Sequence, residues 1–171
     1  MALNWLLDDV IVPFTRQHRR TDCGVACISM ILNFHNCVVP YESLCNIVGV
    51  DRRRGTNLEE MVTAIETLGF EAEAVRGERD CFFSDYPLPC IALVEFQNGA
   101  AHYVVVYERS REKIVIADPA VGIITLKPEQ FLDGAKRKWF IARYRWTGIL
   151  IFVKKPAIIS NMRMEQRAIN L

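Results

Sequence analysis

The chain has 171 residues, 51% of them hydrophobic and 24% charged, the mix of a folded domain and not of a disordered one. With 21 Lys and Arg against 20 Asp and Glu, the net charge is +1, which argues against a dedicated nucleic-acid binder. The longest apolar runs, such as Gly148–Val153 and Tyr103–Tyr107, are strand-sized and far short of the ~18 residues of a membrane span.

Met1–Asp9 holds two aspartates and no basic stretch, so no secretory signal is read there. Six cysteines without an export signal point to free thiols in a reducing, cytoplasmic setting. Thr21-Asp22 is placed to cap a helix from Cys23 to Phe34. Within it Cys27, Met30, Ile31 and Phe34 recur at helical spacing, and Val25, Ile28 and Leu32 cover much of the remaining surface. A helix apolar on so many sides belongs at the centre of a core. Pro40 opens a second helix that runs through Val48 and stops at Gly49. Thr56 or Asn57 caps a third, with Glu59 and Glu60 in its first turn and Gly69 just past its end.

The second half reads as strands: Phe70–Val75, Cys90–Phe96, His102–Glu108, Lys113–Asp118, Ile123–Leu126 and Gly148–Val153, with a short helix at Pro128–Leu132. Helices first and local strands after them predict an α+β fold with an antiparallel sheet. Ala157–Leu171 has no clear home in that domain and is read as a linker or tail.

Cys23 stands at the start of the buried helix. A helix N-terminus offers partial positive charge and unpaired N–H groups, which favour a thiolate and stabilise an oxyanion. Gly24 keeps the approach of a substrate carbonyl clear. The other cysteines, Cys27, Cys37, Cys45, Cys81 and Cys90, are read as small core residues.

Three histidines are candidates for a base. His18 lies in a basic run and reads as solvated, and His35 sits at the frayed end of the first helix. His102 opens an apolar strand, and Asp118 ends the next one. A hairpin turning at Arg109-Ser110-Arg111 pairs Glu108 with Glu112, Val106 with Ile114, Val104 with Ile116, and His102 with Asp118. A carboxylate beside an imidazole fixes its tautomer and stabilises the imidazolium. Gln17, on the approach to the helix, carries an amide suited to donate to an oxyanion beside the Cys23 N–H.

Several ordered segments carry a resemblance: Gln17…Asp22-Cys23-Gly24-Val25-Ala26-Cys27, Arg54-Gly55-Thr56-Asn57-Leu58, His102-Tyr103-Val104-Val105-Val106, Asp118-Pro119-Ala120-Val121-Gly122 and Trp146-Thr147-Gly148. Together they resemble the bacteriocin-processing cysteine peptidases, the N-terminal peptidase domains of peptidase-containing ABC exporters. The resemblance runs from about Val10 to Lys155. It divides the chain into an N-terminal extension (1–9), a peptidase domain (10–155) and a linker or tail (156–171). It implies a papain-like fold, with Cys23 as nucleophile, His102 as general base and acid, Asp118 orienting the histidine and Gln17 in the oxyanion hole. It implies a ribosomally made precursor as substrate, cut after a double-glycine-type motif that ends its leader. The partners it implies are that precursor and the exporter's transmembrane and ATP-binding domains. No metal or cofactor is expected in this chain, since ATP would bind in those other domains. The leader would dock as an amphipathic helix, with Arg52-Arg53-Arg54 and Lys136-Arg137-Lys138 either attracting its acidic residues or serving as solvated surface charge.

Three other readings share these residues. One is a docking module that binds leaders without cutting them. Another is a different Cys–His–Asp acyl transferase. The third is a zinc site built from Cys23, Cys27 and a histidine, which lacks the usual paired-cysteine spacing.

Overall fold

The computed structural model describes residues 3–7, 10–51, 53–134 and 144–156. The expected tail at Ala157–Leu171 and the Lys136-Arg137-Lys138 run lie outside the described residues, as does Arg52.

The chain opens with an element the helical reading of its first half did not include. Strands β1 (Leu3–Leu7) and β2 (Val10–Phe14) pair antiparallel as a separate two-stranded sheet. Three helices follow: α1 (Cys23–Phe34), α2 (Tyr41–Val48) and α3 (Leu58–Thr67). α1 is buried from Gly24 to Leu32, as its all-round apolar pattern requires. α3 is capped by Asn57, whose side chain accepts from the Glu60 N–H while the Glu60 carboxylate accepts from the Asn57 N–H. This reciprocal box satisfies two of the orphan groups at a helix start.

The main sheet has six strands in the order β3-β8-β4-β5-β6-β7. They are β3 (Glu71–Arg76), β4 (Cys90–Phe96), β5 (Ala101–Arg109), β6 (Ile114–Asp118), β7 (Gly122–Leu126) and β8 (Tyr144–Lys154). Every neighbouring pair is antiparallel, so the α+β expectation holds. Alternation along the strands sends side chains into two cores. On one face Ile91, Tyr103, Val105, Tyr107 and Ile151 pack with α1, α2 and α3. On the other, Val94, Val104, Val106, Ile114 and Ile116 pack with Phe82 of a 3₁₀ helix (Arg79–Phe83) and with Phe131 of α4 (Pro128–Leu132).

The hairpin register between β5 and β6 differs from the expected one. The pairs are Val105 with Ala117, Val106 with Ile116, Glu108 with Val115, and Arg109 with Ile114. Two features account for it. The turn is longer than expected, closed by the Ser110 N–H to the Lys113 carbonyl and by the Glu112 and Lys113 N–H groups to the Ser110 hydroxyl. A bulge then absorbs Tyr107, whose hydroxyl donates to the Pro13 carbonyl at 2.6 Å and ties β5 to β2. At Val105 and Val106 the pairing is displaced from the expected register by an even number of residues, so these side chains keep their face, whereas on the turn side of the bulge the displacement is odd and Glu108 and Arg109 change faces.

A second bulge lies in β8. Val94 pairs with Trp146 and Leu93 with Ile149, leaving Thr147 and Gly148 outside the ladder. The Thr147 hydroxyl donates to the Leu93 carbonyl, the Trp146 indole to the Ile149 carbonyl, and the Gly77 N–H to the Gly148 carbonyl. Gly148 has φ +89°, and a Cβ there would sit 2.7 Å from the Gly77 carbonyl oxygen. Gly49, at the end of α2, also has a positive φ, +69°, but open space around its Cβ position. Gly148→Ala should therefore cost about 2–4 kcal/mol of stability, from backbone strain and overlap together. Gly49→Ala should cost only the strain, about 1–2 kcal/mol. Urea unfolding of both variants checks this, and equal losses would contradict it.

Candidate active site

Cys23 is the first residue of α1, His102 the second of β5 and Asp118 the last of β6. β5 begins where antiparallel β6 ends, so the histidine and the aspartate share one end of the sheet. Continued one step past Val105 and Ala117, the observed register sets Asp118 opposite Val104 and diagonal to His102. A diagonal neighbour is within reach of a long side chain, and His102 Nε2 lies 2.9 Å from Asp118 Oδ1. Both side chains are buried, at 6% and 1% exposure. The other ring nitrogen, Nδ1, is left free of Asp118, and Cys23 lies near enough to His102 to raise its pKa. Cys23 itself is half-buried and a free thiol.

The His102 pKa reflects opposing causes. Burial pulls it down, but hydrogen bonds to Asp118 and Cys23 and the charges of both outweigh burial and raise it to about 9. The imidazolium is thus the favoured form at neutral pH.

The turn after β6 holds the carboxylate in place. Asp118 Oδ1 also accepts the Ala120 N–H at 2.8 Å, and the Asp118 carbonyl accepts the Val121 N–H. Gln17 is anchored to the same turn, since its backbone N–H donates to the Pro119 carbonyl at 3.0 Å. Its amide Nε2 donates to the Arg19 carbonyl at 2.8 Å, and its Oε1 is buried without a partner. The structure therefore brings Cys23, His102 and Asp118 together and fastens Gln17 beside them, with one amide hydrogen uncommitted.

Asp22 takes the cap position of α1, but its side chain does not cap the helix. It turns back to accept the Arg19 N–H at 2.9 Å. The first-turn N–H groups beside Cys23 consequently have no side-chain cap.

Several expectations are corrected here. Gly24 also serves packing: a Cβ there would meet Met61 Sδ at 3.0 Å and Thr56 Cβ at 3.3 Å, both from the α3 side. His18 is exposed but not simply solvated, because its ring stacks on Tyr41 at 4.0 Å. His35 is not frayed: it caps the end of α1 and packs against Phe34 and Phe70. Burial and the Lys155 charge lower its pKa against a hydrogen bond at Val153. Cys81 is exposed and outside the core. Cys27 and Cys90 are fully buried, and burial pushes both thiols up, Cys90 to about 12. Among the described residues no group of three or more His, Cys, Asp and Glu side chains is arranged to hold a metal.

A thiol at a helix start, facing a carboxylate-braced histidine at the end of an antiparallel sheet, defines a papain-like cysteine peptidase. The chain belongs to the Peptidase C39 family, whose profile matches residues 11–158. It is 36% identical over 142 residues to the lactococcin-G-processing and transport ATP-binding protein LagD of Lactococcus lactis subsp. lactis, covering 82% of this chain and 18% of that protein. It is 31% identical over 121 residues to the sublancin-168-processing and transport ATP-binding protein SunT of Bacillus subtilis, covering 68% and 17%. The chain thus spans under one fifth of these relatives. Among solved structures it matches a double glycine motif protease from an AMS/PCAT transporter in complex with the leader peptide, with TM-score 0.71 and 27% identity over 85% of this chain and 92% of that one. The peptidase domain of Streptococcus ComA, at TM-score 0.72 and 24% identity over 84% and 98%, shares the fold. Among the described residues no helix is long and apolar enough to cross a membrane.

The raised His102 pKa carries a pH signature. The folded protein holds this proton more tightly than the unfolded chain, where the ordinary value is 6.5. The stability it contributes is full below about pH 6.5 and is lost as pH rises through about 9. The thermal unfolding midpoint should fall more steeply between those pH values in the wild type than in His102→Gln. Parallel profiles would contradict the raised pKa.

Proposed function

We propose that this cysteine peptidase removes the leader from a ribosomally made peptide precursor, cutting after a double-glycine-type motif, as one domain of an ABC exporter. The observation that carries this reading is the Cys23–His102–Asp118 alignment at one end of the sheet. The relatives named for processing and transport, and the solved protease with its leader peptide, support the substrate class. Their greater length supports transmembrane and ATP-binding domains as partners, with the peptidase on the cytoplasmic side.

The chemistry is acyl transfer. Cys23, as thiolate beside the His102 imidazolium, attacks the carbonyl carbon of the last leader residue and forms an S–C bond. The oxyanion is held by the Cys23 N–H at the α1 terminus and by the free amide hydrogen of Gln17. His102 Nδ1 gives its proton to the leaving amine as the C–N bond breaks. The neutral imidazole then takes a proton from water, the resulting hydroxide attacks the thioester, and the leader departs with a free carboxyl end. Asp118 keeps the ring oriented by holding Nε2 throughout. Two small residues before the bond suit a narrow approach to Cys23.

Mass spectrometry of a panel of precursor peptides with Gly-Gly leader ends tests the reading. The wild type should cut directly after the motif, and Cys23→Ala should not cut. Gln17→Ala should lower kcat by about 10²–10³-fold, the usual loss for one oxyanion donor. Leader binding without cleavage in the wild type would favour a docking module. Cleavage that survives in Cys23→Ala would overturn the proposed nucleophile.

A further inference from the structure

The segment just before Gln17 makes contacts that the proposed chemistry has not used. Arg16 is exposed, yet its guanidinium reaches across to the turn after Asp118. Its Nη1 donates to the Ala120 carbonyl at 2.9 Å and its Nη2 to the Val121 carbonyl at 3.4 Å. The next residue, Gln17, donates its backbone N–H to the Pro119 carbonyl. Three successive carbonyls of the turn are therefore held by two successive residues of the arm. The turn is the one whose Ala120 N–H binds Asp118 Oδ1, the oxygen that also binds His102. Arg19 and Arg20, exposed in the same basic run, make no comparable side-chain hydrogen bond among the described residues.

We propose that Arg16 is a positioning residue, a brace that fixes the Gln17 arm and the Asp118 turn relative to each other and so sets kcat. The inference rests on the roles given above to Gln17 and Asp118. A planar guanidinium with fixed donor directions suits two neighbouring carbonyls, whereas an ammonium engages them as a single point charge. Because Arg16 is exposed, its loss leaves no buried group stranded, and the fold should tolerate it. What it should disturb is the alignment of the Gln17 amide with the Asp118-held His102, which act on the same scissile bond, where small displacements cost rate steeply.

The test compares Arg16→Met, Arg16→Lys and Arg20→Met with the wild type, using a synthetic precursor peptide whose leader ends in Gly-Gly. Arg16→Met should lower kcat by roughly tenfold with KM unchanged, and should move the alkaline limb of the kcat profile to lower pH as the Asp118 turn loosens. Arg16→Lys should recover only part of the loss. Arg20→Met removes the same charge from the same run and should match the wild type, as should the unfolding midpoint of Arg16→Met. In a Gln17→Ala background, Arg16→Met should cost less than it does alone, since part of its effect runs through that amide. Wild-type kcat and an unmoved pH limb in Arg16→Met would overturn the brace while leaving the peptidase reading intact. A fall in KM-dependent binding alone, or an equal fall in Arg20→Met, would also overturn it, in favour of simple charge attraction. If the wild type fails to cut the peptide and iodoacetamide fails to label Cys23 ahead of the exposed Cys81, the peptidase reading itself falls and takes the brace with it.

Discussion

The hydrogen bond between His102 and Asp118 is the constraint around which the rest is arranged. Both side chains are buried, and two groups removed from water gain from each other only if their geometry is held. Removing one partner of such a pair typically costs about 3–5 kcal/mol, because the other charge is left stranded. Asp118 Oδ1 has a second partner in the Ala120 N–H, while Oδ2 is buried with none. The carboxylate is therefore held through one oxygen, and the surroundings must supply what the second oxygen does not. They do so through the turn at Pro119–Val121, which Arg16 and Gln17 grip from outside the sheet. Pairing across β5 and β6 brings the two residues to the same end, and contacts beyond the sheet fix their separation.

The contrast between two cysteines on one helix shows what the position of a thiol decides. Cys27 lies one turn into α1 and is fully buried, and burial raises its pKa well above the ordinary thiol value. Cys23 heads the same helix, is half-buried, and faces His102. Only the second has access, a proton acceptor and the helix terminus together. The burial of α1 on nearly every side also matters for chemistry. A thiol at the head of a helix locked in the core cannot drift relative to the sheet that carries His102. The Thr15 and Ser29 hydroxyls, 3.1 Å apart and buried, add a further tie between α1 and the segment that leads to Gln17.

Much of this was legible in the sequence, and the failures have physical causes. The boundaries of α1 and α4 follow directly from an apolar helix face and from Pro128 at a helix start. The His102–Asp118 pair was legible as a pair although the assumed register was not the observed one. Beyond the bulge the displacement is even and preserves the face of the side chains there, so a wrong turn length still brought the right residues to one side. The hairpin of β1 and β2 escaped because Pro13 interrupts a short run that would otherwise read as a strand, and proline is tolerated there only at an edge. The first half of β8 escaped because Thr147 and Gly148 leave the ladder and break its alternation. The contacts of Arg16 join residues far apart in sequence, and no local pattern announces such a bond.

Two of the sequence motifs serve to hold the fold together. Trp146-Thr147-Gly148 forms a bulge against Gly77 and Leu93, with the indole and hydroxyl both spent on main-chain carbonyls. Arg54-Gly55-Thr56-Asn57 shapes the entry to α3: Asp51 accepts the Arg53 and Arg54 N–H groups, and Asn57 caps the helix. Its Gly55 lies so close to the approach to α1 that a Cβ would stand 3.1 Å from the Thr21 carbonyl oxygen. Thr56 and Met61 then fill the space that Gly24 leaves open. The head of α1 is thus pressed from the α3 side by this loop and linked on the other to the Asp118 turn through Gln17. Small residues at Gly24 and Gly55 are what allow this loop to approach the head of α1 so closely. The two glycines flanking this contact belong to its geometry, and Cys23 inherits its position from it.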